Sequence, residues 1–184
     1  MSLASELEAA CAATRGLFSA AACSCALAAE DGAELEFVAA DGAGAAAIVG
    51  VRLPVSRGIA GFVALSGQPI AIADVARDER FARDVAESTD YVPTAILAAP
   101  LVDDEGETIG VLEVLDPAHP DDESRIGTQR GTVAELSVLT VVAAQVARTV
   151  QLARRLDEDP DREARLRLAR DVLAAAEAYG RDVT

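Results

Sequence analysis

Two neighbouring apolar runs with a turn between them constrain the fold most strongly. The runs cover residues 95–102 and 108–115, and the acidic sequence Asp-Asp-Glu-Gly at 103–106 separates them. Asp and Gly at these positions favour a reversal of the chain. Each run has the length of a strand rather than of a helix. We therefore expect an antiparallel strand pair with both faces covered, since both faces are apolar.

Short elements precede this pair. Gly58 and Gly61 open a brief helix, which the sequence Gly-Gln-Pro at 67–69 stops. A short strand at 70–72 follows, and a loop rich in Asp and Arg covers 74–84. This part of the chain predicts small connecting elements around the main strands.

The N-terminal part predicts one helix and a hairpin. Ser2 or Ser5 can cap the helix, because a hydroxyl before a helical run accepts a backbone hydrogen bond. Residues 23–28 and 35–39 are then two strands, joined by a Glu-Asp-Gly turn at 30–32. With one more short run before the first Gly-rich helix, the chain predicts an α+β fold with an antiparallel sheet of about six strands.

The C-terminal part predicts two helices. Apolar residues recur at helical spacing from Thr132 to Leu156, a helix of ~37 Å at 1.5 Å per residue. An Asp- and Pro-containing break follows, and an amphipathic pattern resumes from 161 to 179. We therefore divide the chain into a domain of residues 1–156 and a helical extension of residues 157–184.

Composition excludes several classes of function. The formal charge is −15, and all sixteen basic residues are Arg, scattered among acidic residues. This balance opposes broad attraction to nucleic acid or anionic lipid. No uninterrupted apolar run reaches membrane-spanning length, and no basic segment with an apolar core opens the chain. We expect a cytoplasmic protein with no nucleic-acid or membrane partner.

The reactive side chains are few. Cys11, Cys23 and Cys25 lie near one end and give no disulfide framework, since two of them share a strand face at unsuitable spacing. His119 is the one histidine and lies in a polar loop sequence. Neither a nucleophile–base set nor a metal-ligand set follows from these residues. We expect no metal, no cofactor and no catalytic turnover.

The order of several short motifs resembles that of a GAF domain. The motifs are GIAG, SGQP, a DV loop ending in RF, AILAAPL and IGVLEVL. The resemblance implies a sheet with the terminal helices on one face and, on the other, a ligand pocket closed by short helices and loops. It also implies a non-catalytic sensory or regulatory homodimer that binds an unknown small organic molecule in signal transduction, with a signalling protein as a possible partner.

Glu113 is the most informative candidate site residue. Strand alternation places it on one face with Val111 and Leu115, where an ionised carboxylate is costly unless it is paired. One interpretation is a pocket acid that accepts a hydrogen bond from a ligand. The other is a structural ion pair with an Arg, or exposure to solvent. Nucleotide-binding relatives implied by the resemblance carry an acid that faces the pocket at this strand position.

The resemblance suggests further pocket residues. Asp74 either faces the pocket or caps a helix that carries Arg77 to Val85, and capping is the commoner role. Phe62 is by default a packing residue, whereas Tyr91 is placed to stack on a flat ligand. Small floor residues and two carboxylates favour a neutral or cationic ligand over an anionic one. The full candidate set is Ser24, Ala40, Asp41, Phe62, Ile72, Asp74, Tyr91, Ala98 and Glu113.

Cyclic-nucleotide binding is disfavoured. Ser24, Ala40 and Asp41 match positions that contact the base in cyclic-nucleotide-binding GAF domains, but Ala40 replaces the usual stacking aromatic residue. Those domains also carry an Asn-Lys signature after the last strand, where this chain has Asp116 and Pro117. Two alternatives to a sensor remain: a Cys-dependent free-methionine sulfoxide reductase of the same fold, and a ligand-free structural dimerisation module.

Overall fold

A six-stranded antiparallel sheet organises the part of the chain that the structure describes. The computed structural model describes residues 2–89, 91–118, 129–157 and 167. Within them the strands lie in the order β3-β2-β1-β6-β5-β4, and every pair is antiparallel. The predicted α+β class and strand number are confirmed. The strands are β1 (Ala22–Ala28), β2 (Glu34–Gly42), β3 (Arg52–Pro54), β4 (Ile70–Ile72), β5 (Ile96–Val102) and β6 (Thr108–Leu115).

The β5–β6 hairpin is the predicted strand pair. Its turn is held by Asp103, whose Oδ1 accepts hydrogen bonds from the backbone N–H groups of Glu105 at 3.0 Å and Glu107 at 2.8 Å. Gly106 has a φ of 89°, a conformation that favours glycine. Nearly all residues of both strands are buried or half-buried. The sheet is therefore covered on both faces at this point.

Five α-helices lie among the described residues. They are α1 (Leu3–Leu17), α2 (Ala45–Ile48), α3 (Gly58–Ser66), α4 (Arg83–Ser88) and α5 (Gln129–Asp157). Ser2 rather than Ser5 caps α1, since its hydroxyl accepts from the Ser5 N–H at 3.3 Å. The long helix begins three residues before the predicted start at Thr132. The predicted extension at 157–184 lies outside the described residues except for Asp157 and Arg167, as does His119.

The two faces of the sheet have different coverings. On one face α1 packs against β1 and β2, and the Cys11 thiol donates a hydrogen bond to the carbonyl of Ala39 at 3.8 Å. On the other face α3 contributes Ile59, Ala60 and Val63 to an apolar cluster with residues of the sheet. The candidate site lies on this second face.

A β-bulge in β2 sets which residues share that second face. Ala26 pairs with Phe37, whereas its neighbour Cys25 pairs with Ala39, so Val38 is an extra residue in the strand. A bulge reverses the alternation of side chains beyond it. Phe37 and Ala40, three positions apart, consequently lie on the same face of the sheet.

Helix α5 has one buried face and one exposed apolar face. Leu139, Ala143 and Val146 are buried, at the spacing of one helix face. Val138 and Val141 point away from them and are 44% and 64% exposed. By length and composition Val133–Asp157 could cross a membrane. The core helix of a soluble protein passes the same test, so this helix leaves the expectation of no membrane partner standing as a prediction.

Candidate functional site

A cavity of about 90 Å³ lies over the middle of the sheet, on the face opposite α1. Its floor comes from three adjacent strands: β1 contributes Ser24, β2 contributes Phe37 and Ala40, and β6 contributes Glu113 and Leu115. The bulge in β2 and the small side chains at the centre leave the space open. Side chains of ordinary size at these positions would fill it.

Short helices form the walls of the cavity. Ile48 closes it from α2, Ile59 from the first turn of α3, and Val85 with Ala86 from α4. We call α4, with Ala82 and Thr89 at its ends, the lid. The walls are almost entirely apolar, so the few polar groups of the lining determine which hydrogen bonds a ligand can form in the cavity.

Glu113 is the carboxylic acid of this cavity. Its cross-strand neighbours are Ser24 on β1 and Ala98 on β5, and it is only 8% exposed. The Ser24 hydroxyl donates a long hydrogen bond of 3.4 Å to Oε2. No described residue donates to Oε1, and no enclosed side-chain oxygen among the described residues lacks a partner. Oε1 therefore opens on the cavity.

The surroundings of Glu113 favour its neutral form. Burial raises the pKa of its carboxyl to about 7, and the hydrogen bond from Ser24 opposes this rise only in part. No Arg is among the residues described as lining the cavity. The ion-pair interpretation is therefore not met within the described residues, and the carboxyl faces the cavity.

The other polar groups of the lining are already engaged. The Tyr91 hydroxyl donates to the carboxylate of Asp116, whose other oxygen accepts from the backbone of Thr94 and Ala95 at 2.8 Å each. Burial and this contact with Asp116 raise the pKa of Tyr91. The Thr89 hydroxyl donates to the carbonyl of Ala86 at 2.9 Å. Glu113 is thus the carboxyl of the described lining that keeps one oxygen, Oε1, without a hydrogen-bond donor.

Four of the predicted site residues meet at the cavity: Ser24, Ala40, Tyr91 and Glu113. Asp41 does not, because successive strand residues point to opposite faces. Its carboxylate instead pairs with Arg15 of α1. The prediction placed two adjacent residues of one strand on a single surface, which the backbone geometry forbids.

Asp74 also lies outside the cavity. Its Oδ1 accepts from the backbone N–H of Ala76 at 3.1 Å, and its Oδ2 pairs with Arg77 at 3.1 Å. It caps a single 3₁₀ turn at Val75–Arg77. This is the capping role that the sequence left open beside the pocket role.

Three apolar candidates pack elsewhere. Phe62 lies on the outer side of α3, 36% exposed, with the Arg80 guanidinium 4.2 Å from its ring centre. Ile72 belongs to β4 at the edge of the sheet and is packed in the apolar cluster. Ala98 is fully buried in the same cluster. None of the three is among the residues that line the cavity.

Sequence reasoning missed the contributions of α2 and α4. Ile48, Val85 and Ala86 line the cavity but were not in the candidate set. Helices this short show too little of a helical period to reveal which face is buried. Phe37 was missed for another reason, since a strict alternation places it opposite Ala40 and only the bulge brings them together.

An ion pair joins the lid to α3. Arg57, the residue before α3, forms an ion pair with Asp84 in the first turn of α4. The next residue, Gly58, has a φ of 77°, and a side chain there would lie 3.5 Å from Ala82. Both partners of the ion pair are exposed, so the contribution to stability is small. Its position ties the lid to the cavity wall.

The cysteines are arranged as packing residues. All three are free and fully buried. A hydrogen bond with Cys11 and burial raise the pKa of Cys23, and burial raises that of Cys25. The thiolate is the reactive form of cysteine, and these surroundings suppress it. Among the described residues no group of His, Cys, Asp and Glu could hold a metal ion.

Comparisons with known proteins agree with this fold. A model of the GAF domain family matches residues 2–150. A dual 3',5'-cyclic-AMP and -GMP phosphodiesterase 11 of Drosophila melanogaster is 43% identical over 65 residues, which are 35% of this chain and 4% of that protein. A probable 3',5'-cyclic phosphodiesterase, pde-5, of Caenorhabditis elegans is 38% identical over 65 residues, 35% of this chain and 9% of that protein. The chain thus spans a small part of these relatives.

Solved structures show the same architecture. The GAF domain of an Acinetobacter phosphoenolpyruvate-protein phosphotransferase has a TM-score of 0.65 at 22% identity, covering 85% of this chain and 87% of that one. The second GAF domain of DevS from Mycobacterium smegmatis has a TM-score of 0.62 at 21% identity, covering 83% and 96%. A free methionine-R-sulfoxide reductase of Neisseria meningitidis has a TM-score of 0.62 at 18% identity, covering 83% and 80%. At these identities the likeness establishes the fold alone. Because the family model covers most of the chain and the architecture agrees, the chain belongs to the GAF domain family.

Proposed function

We propose that this domain is a non-catalytic sensory module that binds a small organic molecule in the cavity over the sheet. One observation carries the proposal: the Oε1 atom of Glu113 is unpaired and opens on an otherwise apolar cavity. An acceptor atom that is open to an apolar cavity can take a hydrogen bond from a ligand that donates one. Apolar pockets with a few placed polar groups are the usual form of small-molecule sites.

The ligand is small and is neutral or cationic. The cavity of about 90 Å³ is well below the roughly 300–1,000 Å³ of sites for drug-sized ligands. The described lining offers no Arg to pair with an anion, and an anion would meet like charge whenever Glu113 is ionised. The relatives named as cyclic-nucleotide phosphodiesterases share only a short stretch with this chain. Size and charge together oppose a cyclic nucleotide as the ligand.

A thermal-shift screen tests this proposal. Small neutral and cationic compounds are expected to raise the melting temperature, whereas cyclic AMP and cyclic GMP leave it unchanged. An Ala40→Val variant supplies the control, because the added methyl groups occupy the cavity and should remove the shifts. Strong stabilisation by either cyclic nucleotide would contradict the proposal.

The module acts as a homodimer through its terminal helices in this proposal. Val138 and Val141 form an exposed apolar strip on α5, and Leu17 at the end of α1 is 61% exposed. Pairing of two copies would bury such exposed apolar side chains, and most soluble oligomers are symmetric dimers. A signalling protein that reads the state of the domain is the further partner we propose.

We also propose that the domain acts in the cytoplasm and has no catalytic activity. Three free thiols suit a reducing compartment. The reductase alternative requires a reactive cysteine near the ligand, whereas burial suppresses the thiolate of Cys23 and Cys25. An assay with free methionine sulfoxide should show no turnover. A measurable rate that a Cys25→Ser variant loses would overturn this part of the proposal.

A further inference from the structure

We infer that the ligand is a short-chain amine, which binds as its ammonium ion against the carboxylate of Glu113 and displaces one proton from the site. This inference rests on the proposed function and names the chemical class of its ligand. It follows from the size of the cavity, the placement of its hydrogen-bonding atoms and the absence of a competing cation among the described lining residues.

The volume limits the enclosed part of the ligand to a few heavy atoms. A dry protein cavity of about 150 Å³ holds one benzene molecule. The present cavity of about 90 Å³ is smaller, so the enclosed part of the ligand is smaller than benzene. Branched alkyl chains of three or four carbons meet this limit. Their apolar body suits the side chains of Ile48, Ile59 and Val85, which line the walls.

The polar atoms of the cavity favour a ligand that donates hydrogen bonds. Oε1 of Glu113 accepts nothing from the described residues, and Ser24 uses its proton on Oε2. The Ser24 oxygen keeps lone pairs for a further donor. An ammonium group carries several donors and no acceptor, so it can serve Oε1 and the Ser24 hydroxyl together. An alcohol offers one donor, and a carboxylate offers none.

The charged groups around the cavity do not compete for Glu113. Asp41 points to the opposite face and pairs with Arg15. On the lid, Asp84 faces outward and pairs with Arg57. Tyr91, which also borders the cavity, is held through its hydroxyl by Asp116.

The thiols are also separate from the acid. Cys23 borders the cavity. Its thiol, however, forms a hydrogen bond with the thiol of Cys11 on α1, and this contact and burial keep it protonated. Cys25 lies on the same strand face as Cys23 and is likewise kept protonated. A cation that enters the cavity thus meets one ionisable partner among the described groups.

Proton displacement follows from the burial of that partner. Without a cation nearby, burial raises the pKa of Glu113 to about 7, so the acid is largely neutral at slightly acidic pH. An ammonium ion stabilises the charged form. The O–H bond of Glu113 then breaks, its proton passes to solvent, and the carboxylate and the ammonium ion form a pair. Total charge is conserved, since a cation enters and a proton leaves.

Calorimetric titration of the wild-type protein tests the inference with three probes of one carbon skeleton: isobutylamine, isobutanol and isobutyrate. Titrations in phosphate and in HEPES, whose heats of ionisation differ, count the protons released. We expect isobutylamine to bind at least about tenfold more tightly than isobutanol, which corresponds to ~1.4 kcal/mol, because its hydrogen bonds are charge-assisted. Isobutyrate should not bind. Close to one proton should leave per amine at about pH 6, and far fewer at about pH 8.

Variants separate the acid from the cavity. Glu113→Gln should lose the preference for the amine and the proton release, while Glu107→Gln, an exposed acid outside the cavity, should behave as wild type. The proton count of the wild-type protein remains decisive if the Glu113→Gln substitution impairs folding. Equal affinity for isobutanol, or amine binding without proton release, would overturn the inference and leave the proposed function standing. If none of the probes and no compound of the thermal-shift screen binds, both are overturned.

Discussion

At the scale of one residue, Glu113 places a buried carboxyl group in the sheet at a cost in folding free energy. It lies between Ser24 and Ala98 in a region where the other strand residues are apolar. Placing a carboxyl there costs free energy of folding that an apolar residue would not. Strongly perturbed acids concentrate at functional sites. The cost and the cavity together are the basis of the proposed ligand site.

Replacement of Glu113 by Gln should stabilise the protein at neutral and alkaline pH. Between its ordinary pKa of 4.5 and the folded-state value of about 7, the native acid holds a proton that the unfolded chain releases. Stability contributed by this residue therefore falls as pH rises through that window, and the loss is complete above it. The loss is on the order of 3 kcal/mol, from about 1.4 kcal/mol per pKa unit. The Gln variant does not incur it.

Urea unfolding at several pH values measures this effect as a difference between variant and wild type. The difference in free energy of unfolding should grow from about pH 5 to about pH 8. The exposed substitution Glu107→Gln should show no such growth. A difference that is constant with pH would mean that Glu113 titrates normally in the folded protein.

Prediction of the sheet face of a side chain succeeded where the strand alternates without interruption. The alternation around Glu113 correctly separates it from Leu112 and Val114, which are fully buried on the opposite face. It failed in β2, because the extra residue Val38 shifts the phase of everything after it. A bulge leaves no mark in the hydrophobic pattern of so short a strand. Phe37 was therefore missed as a neighbour of Ala40 on the cavity face.

A pair of alanines tests whether the cavity is real space. Ala40 borders the cavity, whereas Ala98 is fully packed on the same sheet. Ala40→Val should change stability little, since its added methyl groups enter open volume. Ala98→Val should cost about 1–3 kcal/mol, because a filled core yields only by strain. Chemical denaturation of both variants gives the comparison. Equal losses would show that the space beside Ala40 is closed in solution.

At the scale of elements, the strands were predictable and the short helices were not. Both long strands of the β5–β6 hairpin appear within one residue of the expected bounds, because apolar runs and turn residues mark their ends. One helix carrying Arg77 to Val85, capped by Asp74, was the expected structure if Asp74 has a capping role. The structure instead forms a 3₁₀ turn at Val75–Arg77 and a separate helix, α4. Packing over the cavity, rather than local propensity, determines where such short helices form.

Helix α3 depends on a close approach to the strand before it. A Cβ atom on Gly61 would lie 2.4 Å from the carbonyl oxygen of Val55, a backbone atom that cannot move aside. Gly61→Ala should therefore destabilise the protein by about 1–3 kcal/mol despite the better helix propensity of Ala. Gly16 in α1 has nothing within 4 Å of such an atom. There Ala should stabilise by up to about 1 kcal/mol.

Thermal unfolding of the two glycine variants distinguishes a tertiary constraint from propensity. Opposite shifts in melting temperature are expected. If Gly61→Ala is as stable as Gly16→Ala, the packing of α3 against residue 55 is looser than the structure shows.

At the scale of the whole molecule, the exposed strip on α5 predicts self-association. Substituting Glu for both Val138 and Val141 places two charges on that strip and should convert a dimer into a monomer at micromolar concentration, because like charges on facing copies repel. Val102→Glu is a matched control, since Val102 is 39% exposed at the end of β5. Sedimentation velocity reports the mass of each protein. A wild-type monomer at tens of micromolar, with no dependence on concentration, would refute the dimer.

A lipid bilayer is the alternative to a second copy of the protein as the environment that buries the exposed apolar face of α5. By length and composition Val133–Asp157 could span one, whereas its buried residues Leu139, Ala143 and Val146 are already used inside the protein. A dimer leaves the protein in solution without detergent. Flotation of the purified protein with neutral liposomes would favour the membrane and contradict the dimer.

Binding of a small molecule in the cavity is the central claim, and methyl NMR spectroscopy tests it most directly. A library of small neutral and cationic fragments is titrated into protein labelled at alanine and isoleucine methyl groups. We predict that hits shift the resonances of Ala40, Ile48 and Ala86 together, and that Ala40→Val abolishes those shifts. A library that leaves all three unmoved, or that moves only methyl groups of α5, would contradict the claim and favour a ligand-free dimerisation module.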